Sequence, residues 1–119
     1  MAVSLHHVNI RAHDLEETVA FYVDAIGLTE GWRPPFGFAG AWLYDERPIV
    51  HLTVGKSGVD GAGSVVEHIA FACSDLDAAL QRLDRFGVRY TPPRRQPGTG
   101  VRQSFLVDPN GVTVELQGS

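Results

Sequence analysis

Val66-Glu67-His68-Ile69-Ala70-Phe71 repeats, sixty-one positions on, the pattern of Leu5-His6-His7-Val8-Asn9-Ile10. Aligning His7 with His68 also brings Val8 onto Ile69, Asp14 onto Asp75 and Leu15 onto Leu76. Both stretches alternate, the period of a strand with one face buried. Each carries a histidine on the face opposite Val8 and Ile10, or Ile69 and Phe71. A histidine inside an apolar strand is unusual. The same histidine in both copies predicts a metal site lying between two repeated modules.

Each strand leads into a helix. Asp14 opens the first, with Glu17 three residues on as the partner of a capping box. Leu15, Val19, Tyr22 and Ile26 follow the helical period, and Gly27 is its stop. Asp75 opens the second, which carries Leu76, Ala79, Leu80, Leu83 and Phe86 and stops at Gly87. These apolar stripes need a partner, and the Val8 and Ile10 side of the first strand supplies one. His7 and Asn9 then face away, into whatever the sheet encloses.

Beyond the first helix the pattern predicts a short strand over residues 28–33, broken by Pro34-Pro35. A hairpin of residues 38–44 and 49–54 follows, turning through Asp45-Glu46-Arg47-Pro48. Beyond the second helix come a short strand at 88–90 and a loop of proline and arginine over 91–100. A second hairpin of 101–107 and 112–117 closes through Asp108-Pro109-Asn110-Gly111, a strong turn signal. Residues 55–64 hold four glycines, two serines and one lysine, and read as a flexible linker. The chain is thus one domain, 1–119, with module 1 over residues 4–54, the linker 55–64, and module 2 over residues 65–118.

At 119 residues the chain suits one domain with a modest core. The net charge of −4 argues against nonspecific nucleic-acid binding, which needs a basic face to displace counterions. It also does not suggest an anionic membrane surface. No apolar run approaches the roughly 20 residues of a membrane span. The first residues lack the basic start and apolar stretch of a signal peptide, so a cytoplasmic location is expected. A single cysteine, Cys73, rules out an internal disulfide and a cysteine-rich zinc site.

The second hairpin strands superpose as well. Trp42 falls on Phe105 and Asp45 on Asp108, 63 residues apart, while His51 falls on Glu115 and Leu52 on Leu116, 64 apart. Alternation assigns Val50, Leu52, Val114 and Leu116 to the helices, which drives His51 and Glu115 onto the enclosed face. The repeat therefore yields His7 and His51 from one copy, His68 and Glu115 from the other. Three imidazoles and a carboxylate suit a borderline divalent ion such as zinc, iron, nickel, cobalt or manganese. Taken singly, an inward histidine is more often a hydrogen-bonded core residue. The coincidence of four repeat-equivalent positions is what favours a site. Asn9, Trp42, Tyr44, Gln103 and Phe105 share the inner faces, where the aromatic residues are either plain core or pocket wall. From the basic loop, Arg95 is the candidate to meet an anionic substrate, with Arg94 and Arg102 nearby. His6, His13 and Cys73 are expected to be structural or exposed.

These residues resemble those of the vicinal oxygen chelate superfamily, which includes glyoxalase I, bleomycin-resistance proteins, fosfomycin-resistance enzymes and extradiol dioxygenases. The resemblance rests on His7-Val8-Asn9-Ile10 with Asp14-Leu15-Glu16-Glu17-Thr18-Val19-Ala20-Phe21-Tyr22, on Glu67-His68-Ile69-Ala70-Phe71, and on Asp108-Pro109-Asn110-Gly111-Val112-Thr113-Val114-Glu115-Leu116. It implies an α+β fold of two βαβββ modules forming an eight-stranded, partly open barrel around one divalent metal ion. It places that metal on His7, His51, His68 and Glu115, and implies a homodimer whose sites are built within one chain or between two. The expected function is a metal-dependent, glyoxalase-like enzyme acting on a small oxygen-rich substrate bound through vicinal oxygens. Its chemistry would be that of an isomerase, lyase, transferase or dioxygenase, with Glu115 or His51 moving the proton. The alternative is a metal-free binding protein of the bleomycin-resistance type, holding an aromatic compound between Trp32, Trp42 and Phe105. Glyoxalase I carries a glutamate where this chain has His51, so ordinary glutathione-dependent glyoxalase I activity is not expected.

Overall fold

Asp14 and Asp75 start the two helices as the sequence predicts, in a computed structural model that describes residues 6–55, 68–97 and 99–119. Each aspartate is extended, and its carboxylate accepts the N–H of the residue three positions on, Glu17 or Ala78. This satisfies an amide that the first helical turn leaves without a partner. Strand β1 (Val8–Ala12) precedes helix α1 (Leu15–Ala20), and β5 (His68–Ala72) precedes α2 (Leu76–Arg85). The first helix widens after Ala20 into a π-helical segment, Phe21–Ile26. Its end is Gly27, at φ 99°, whose N–H donates to the Tyr22 carbonyl five residues back. Such a backbone is open to glycine and strained for other residues.

The remaining strands are β2 (Thr29–Gly31), β3 (Gly40–Tyr44), β4 (Pro48–Val54), β6 (Arg94–Arg95), β7 (Arg102–Val107) and β8 (Thr113–Gly118). They form two four-stranded sheets in the orders β1-β4-β3-β2 and β5-β8-β7-β6, each with one parallel pair and the rest antiparallel. The architecture is therefore α+β, two βαβββ modules. Among the described residues no strand of one sheet pairs with a strand of the other, so the barrel is open. The linker at 56–64 and the first residues read as strand, 65–67, lie outside the described residues.

One predicted strand is displaced. Residues 88–90 are not a strand, because the Val88 N–H donates to the Leu83 carbonyl and the Tyr90 hydroxyl to Asp84, holding the segment against the end of α2. The fourth strand of that sheet is Arg94–Arg95, inside the stretch read as loop, paired with Gln103 and Arg102.

The core lies on the helix side of both sheets, where Ile10, Leu43, Val50, Leu52, Leu76, Leu83, Val114 and Leu116 are buried. The modules also join there. The Tyr22 hydroxyl, on the π-helical segment, donates to the Asp108 carboxylate at 2.9 Å, and Asn110 donates to Thr18 at 3.0 Å. Arg82 on α2 donates to the Asp24 carbonyl at 2.7 Å. Each sheet therefore keeps its other face free for a site.

Candidate functional site

The register reproduces the repeat on these free faces. His51 lies opposite Asn9 on β1 and Trp42 on β3. Glu115 lies opposite Ala70 on β5 and Phe105 on β7. In both modules the second candidate ligand thus faces the position two residues after the first, Asn9 after His7 and Ala70 after His68. His51 and Glu115 are in equivalent places, as are Trp42 and Phe105.

In module 1 three rings stack. His7 lies on His51 with centroids 3.9 Å apart and planes 13° from parallel, and Trp42 covers the His51 ring at 4.0 Å and 10°. The Nε2–H of His51 donates to the Pro48 carbonyl at 3.0 Å, which leaves its lone pair on Nδ1. Burial, and then the charge of neighbouring His7, push the His51 imidazolium below its usual range. A neutral ring is the form a metal or a proton can use. His7 is exposed and meets His6 at 2.9 Å between Nδ1 atoms. Asn9 donates to the Thr53 hydroxyl, and the Tyr44 hydroxyl donates to the Trp32 carbonyl.

In module 2 Glu115 is buried, with its Oε1 3.5 Å from Nε2 of His68. Its other oxygen accepts the Gln103 amide at 3.0 Å. Phe105 meets the His68 ring edge-on at 6.4 Å.

The structure brings the four candidates together as two pairs, not as one cluster. Among the described residues no group of three or more histidine, cysteine or acidic side chains converges on one ion position. A cleft of about 440 Å³ between the β1 and β5 edges is lined by His6, His7, Ile69, Phe71 and Cys73 among others, and by none of His51, His68 or Glu115. The donor set still fits a borderline divalent ion. Two ligands held about 2.1 Å from one ion at the tetrahedral angle are roughly 3.4 Å apart, close to the 3.5 Å between His68 and Glu115.

Arg95 is placed elsewhere. It lies opposite Arg102, on the face away from Gln103 and Glu115, and its guanidinium donates to the Gly100 carbonyl. Arg102 is held by Asp77 and the Ser119 carbonyl. Arg94, opposite Gln103, is the arginine of β6 on the Glu115 side. Sequence reasoning missed this because it read 91–100 as loop, where strand parity assigns no face. It also read Phe36 as part of a mobile break and Phe38 as the start of a strand that begins only at Gly40, although with Trp32 they form an aromatic cluster beside Trp42. The density of aromatic residues in Trp32-Arg33-Pro34-Pro35-Phe36-Gly37-Phe38 was the available signal.

Known proteins agree with this architecture. The chain is 30% identical to the uncharacterized protein YwkD of Bacillus subtilis, over 95% of this chain and 94% of that one. It is 26% identical to a lactoylglutathione lyase of Salmonella typhimurium, over 94% and 90%. The fold matches the crystal structure of the fosfomycin resistance protein FosX from Listeria monocytogenes with a TM-score of 0.78 at 20% identity, covering 100% of this chain and 96% of that one. The family model of the Glyoxalase/Bleomycin resistance protein/Dioxygenase superfamily matches residues 4–116. With all but the last two residues of the two modules inside that match, the chain belongs to this superfamily.

Proposed function

We propose that the protein is a divalent-metal-dependent enzyme acting on a small molecule that presents two neighbouring oxygens. His7, His51, His68 and Glu115 would hold the ion, which supplies Lewis-acid stabilisation of an oxyanion on the substrate. The observation that supports the reading is the register, in which His51 lies opposite Asn9 and Glu115 opposite Ala70, each two residues after a candidate histidine. Glu115 is the one carboxylate on an inner face of the described strands, because Glu30 on β2 lies opposite Leu43 and so on the helix side. The Gln103 amide orients it, leaving the oxygen beside His68 to take or deliver a proton. A lactoylglutathione lyase is among the relatives, but a single inward carboxylate suits a reaction that moves protons from one side of the substrate.

The two pairs meet when the inner face of module 1 stands against the inner face of module 2. The helix-side contacts that join the modules within one chain leave both faces free, so a second copy in two-fold symmetry would complete two sites. Metal analysis of protein prepared without chelators tests the centre. About one equivalent per chain is expected, and less than about a tenth would sink the metal reading, since such sites normally purify occupied. In that event the binding-protein reading stands in its place. Mixing subunits tests the sharing. A chain bearing His7→Ala and His51→Ala, combined with one bearing His68→Ala and Glu115→Gln, regains metal in the mixed dimer only when each site draws on two chains.

A further inference from the structure

We propose that residues 32–38, with Trp42, form a preformed subsite for a planar aromatic ring, and that the substrate or ligand of the neighbouring site carries such a ring as a remote binding group. Trp32, Phe36 and Phe38 are 69%, 49% and 57% exposed. Three large aromatic side chains held out in water within seven residues are costly, and such patches mark binding sites.

The loop is also built to keep them there. The Arg33 guanidinium lies against the rings of Phe36 and Phe38 at 4.9 and 5.0 Å and donates to the Phe38 carbonyl. The Phe36 N–H closes a tight turn on the Pro34 carbonyl, and the Tyr44 hydroxyl holds the Trp32 carbonyl at 2.6 Å. Gly31 lets the Tyr44 ring pass, since a Cβ there would come within 2.8 Å of it. An arginine, a tyrosine and two prolines thus fix aromatic faces outward instead of burying them.

The cluster is continuous with the candidate centre. Trp32 stands at 90° to Trp42 with centroids 6.2 Å apart, and Phe36 meets Trp42 at 6.2 Å. Two indoles at right angles make a corner in which a third ring can stack on one and meet the edge of the other, both favoured arrangements. The far side of Trp42 is taken by His51 at 4.0 Å. A ring in the corner therefore lies on the order of 10 Å from His51, adding one aromatic spacing to that distance. The ligand is one whose aromatic group is joined to its vicinal oxygens by a spacer. A simple catechol, with ring and oxygens together, does not span the gap.

The protein has two tryptophans, and both line the corner, so its intrinsic tryptophan fluorescence reports on this subsite and, through the Trp42–His51 stack, on the neighbouring centre. The probes are 6-phenylhexanohydroxamate and 6-cyclohexylhexanohydroxamate, equal in length and vicinal oxygens and differing in ring planarity. The phenyl probe should change the emission and bind at least about tenfold more tightly, with and without added zinc. Trp32→Ala and Phe36→Ala, both at exposed positions, should remove that preference, weakening phenyl binding more than cyclohexyl binding, and leave the melting temperature as it was. The metal reading, on which the remote placement of the ring rests, is scored separately by whether zinc tightens both probes. Zinc tightening both while the phenyl preference is missing overturns the subsite and leaves the metal centre standing. A phenyl preference without any zinc effect overturns the centre and leaves the subsite. Shielding of Trp32 from iodide in the ligand-free protein, relieved on dilution to monomer, would make the patch a subunit contact and overturn the proposal.

Discussion

Gln103 shows how much one side chain can decide. Its amide is bonded to one oxygen of buried Glu115, while the other oxygen sits beside His68. Groups that orient a ligand are worth about 10–100-fold in metal affinity. Gln103→Ala should lower zinc affinity by about that factor in calorimetry, and it should also cost about 1–3 kcal/mol of stability, because one oxygen of buried Glu115 loses its donor. His51 carries a pH effect. Its folded pKa is depressed, so the unfolded chain binds the extra proton first, and stability rises with pH between the folded value and about 6.5. Metal-free protein should therefore lose stability on acidification through that window, and His51→Gln should flatten the denaturation midpoint there. Cys73 is half-buried, and burial pushes its thiol up. It should react with iodoacetamide at neutral pH several-fold more slowly than free cysteine, and unfolding should abolish the difference.

At the scale of elements, the π-helical segment and the β7–β8 turn act as one joint. Tyr22 is fully buried, and burial together with the Asp108 charge holds its hydroxyl protonated far above the usual range. Asp108 also accepts the N–H groups of Asn110 and Val112, so a single carboxylate organises the turn and receives the other module. Tyr22→Phe leaves one buried oxygen of Asp108 without its donor and should cost about 1–3 kcal/mol in urea unfolding. Asp108→Ala strips three bonds at once and should cost more. The repeat-equivalent residues, Leu83 and Asp45, make no such pair. The joint therefore exists on one side of the approximate two-fold only.

For the whole molecule, the radius of gyration is 14.8 Å, against about 13.5 Å expected for a compact chain of this length. Two modules joined by their helices, with inner faces open, account for the excess. A dimer that closes those faces should appear in light scattering at twice the 13.0 kDa chain mass. Addition of zinc should shift any monomer toward it, since both pairs of ligands would then be bridged.

Strand parity and the helix caps were legible in the local pattern. Period-2 alternation around His7 and His68, and aspartates three residues ahead of helical amides, act locally and leave a local trace. Parity alone was enough to place His51 and Glu115 on the inner faces before any register was known. It failed at Arg94 and Arg95, where a two-residue strand in a proline-rich stretch has no period to read. Tertiary packing alone brings Tyr22 to Asp108, stacks two rings on His51, and leaves the four ligand candidates as two separate pairs. Those outcomes depend on how one module's packed surface meets another's, an interaction between residues tens of positions apart that no local pattern encodes.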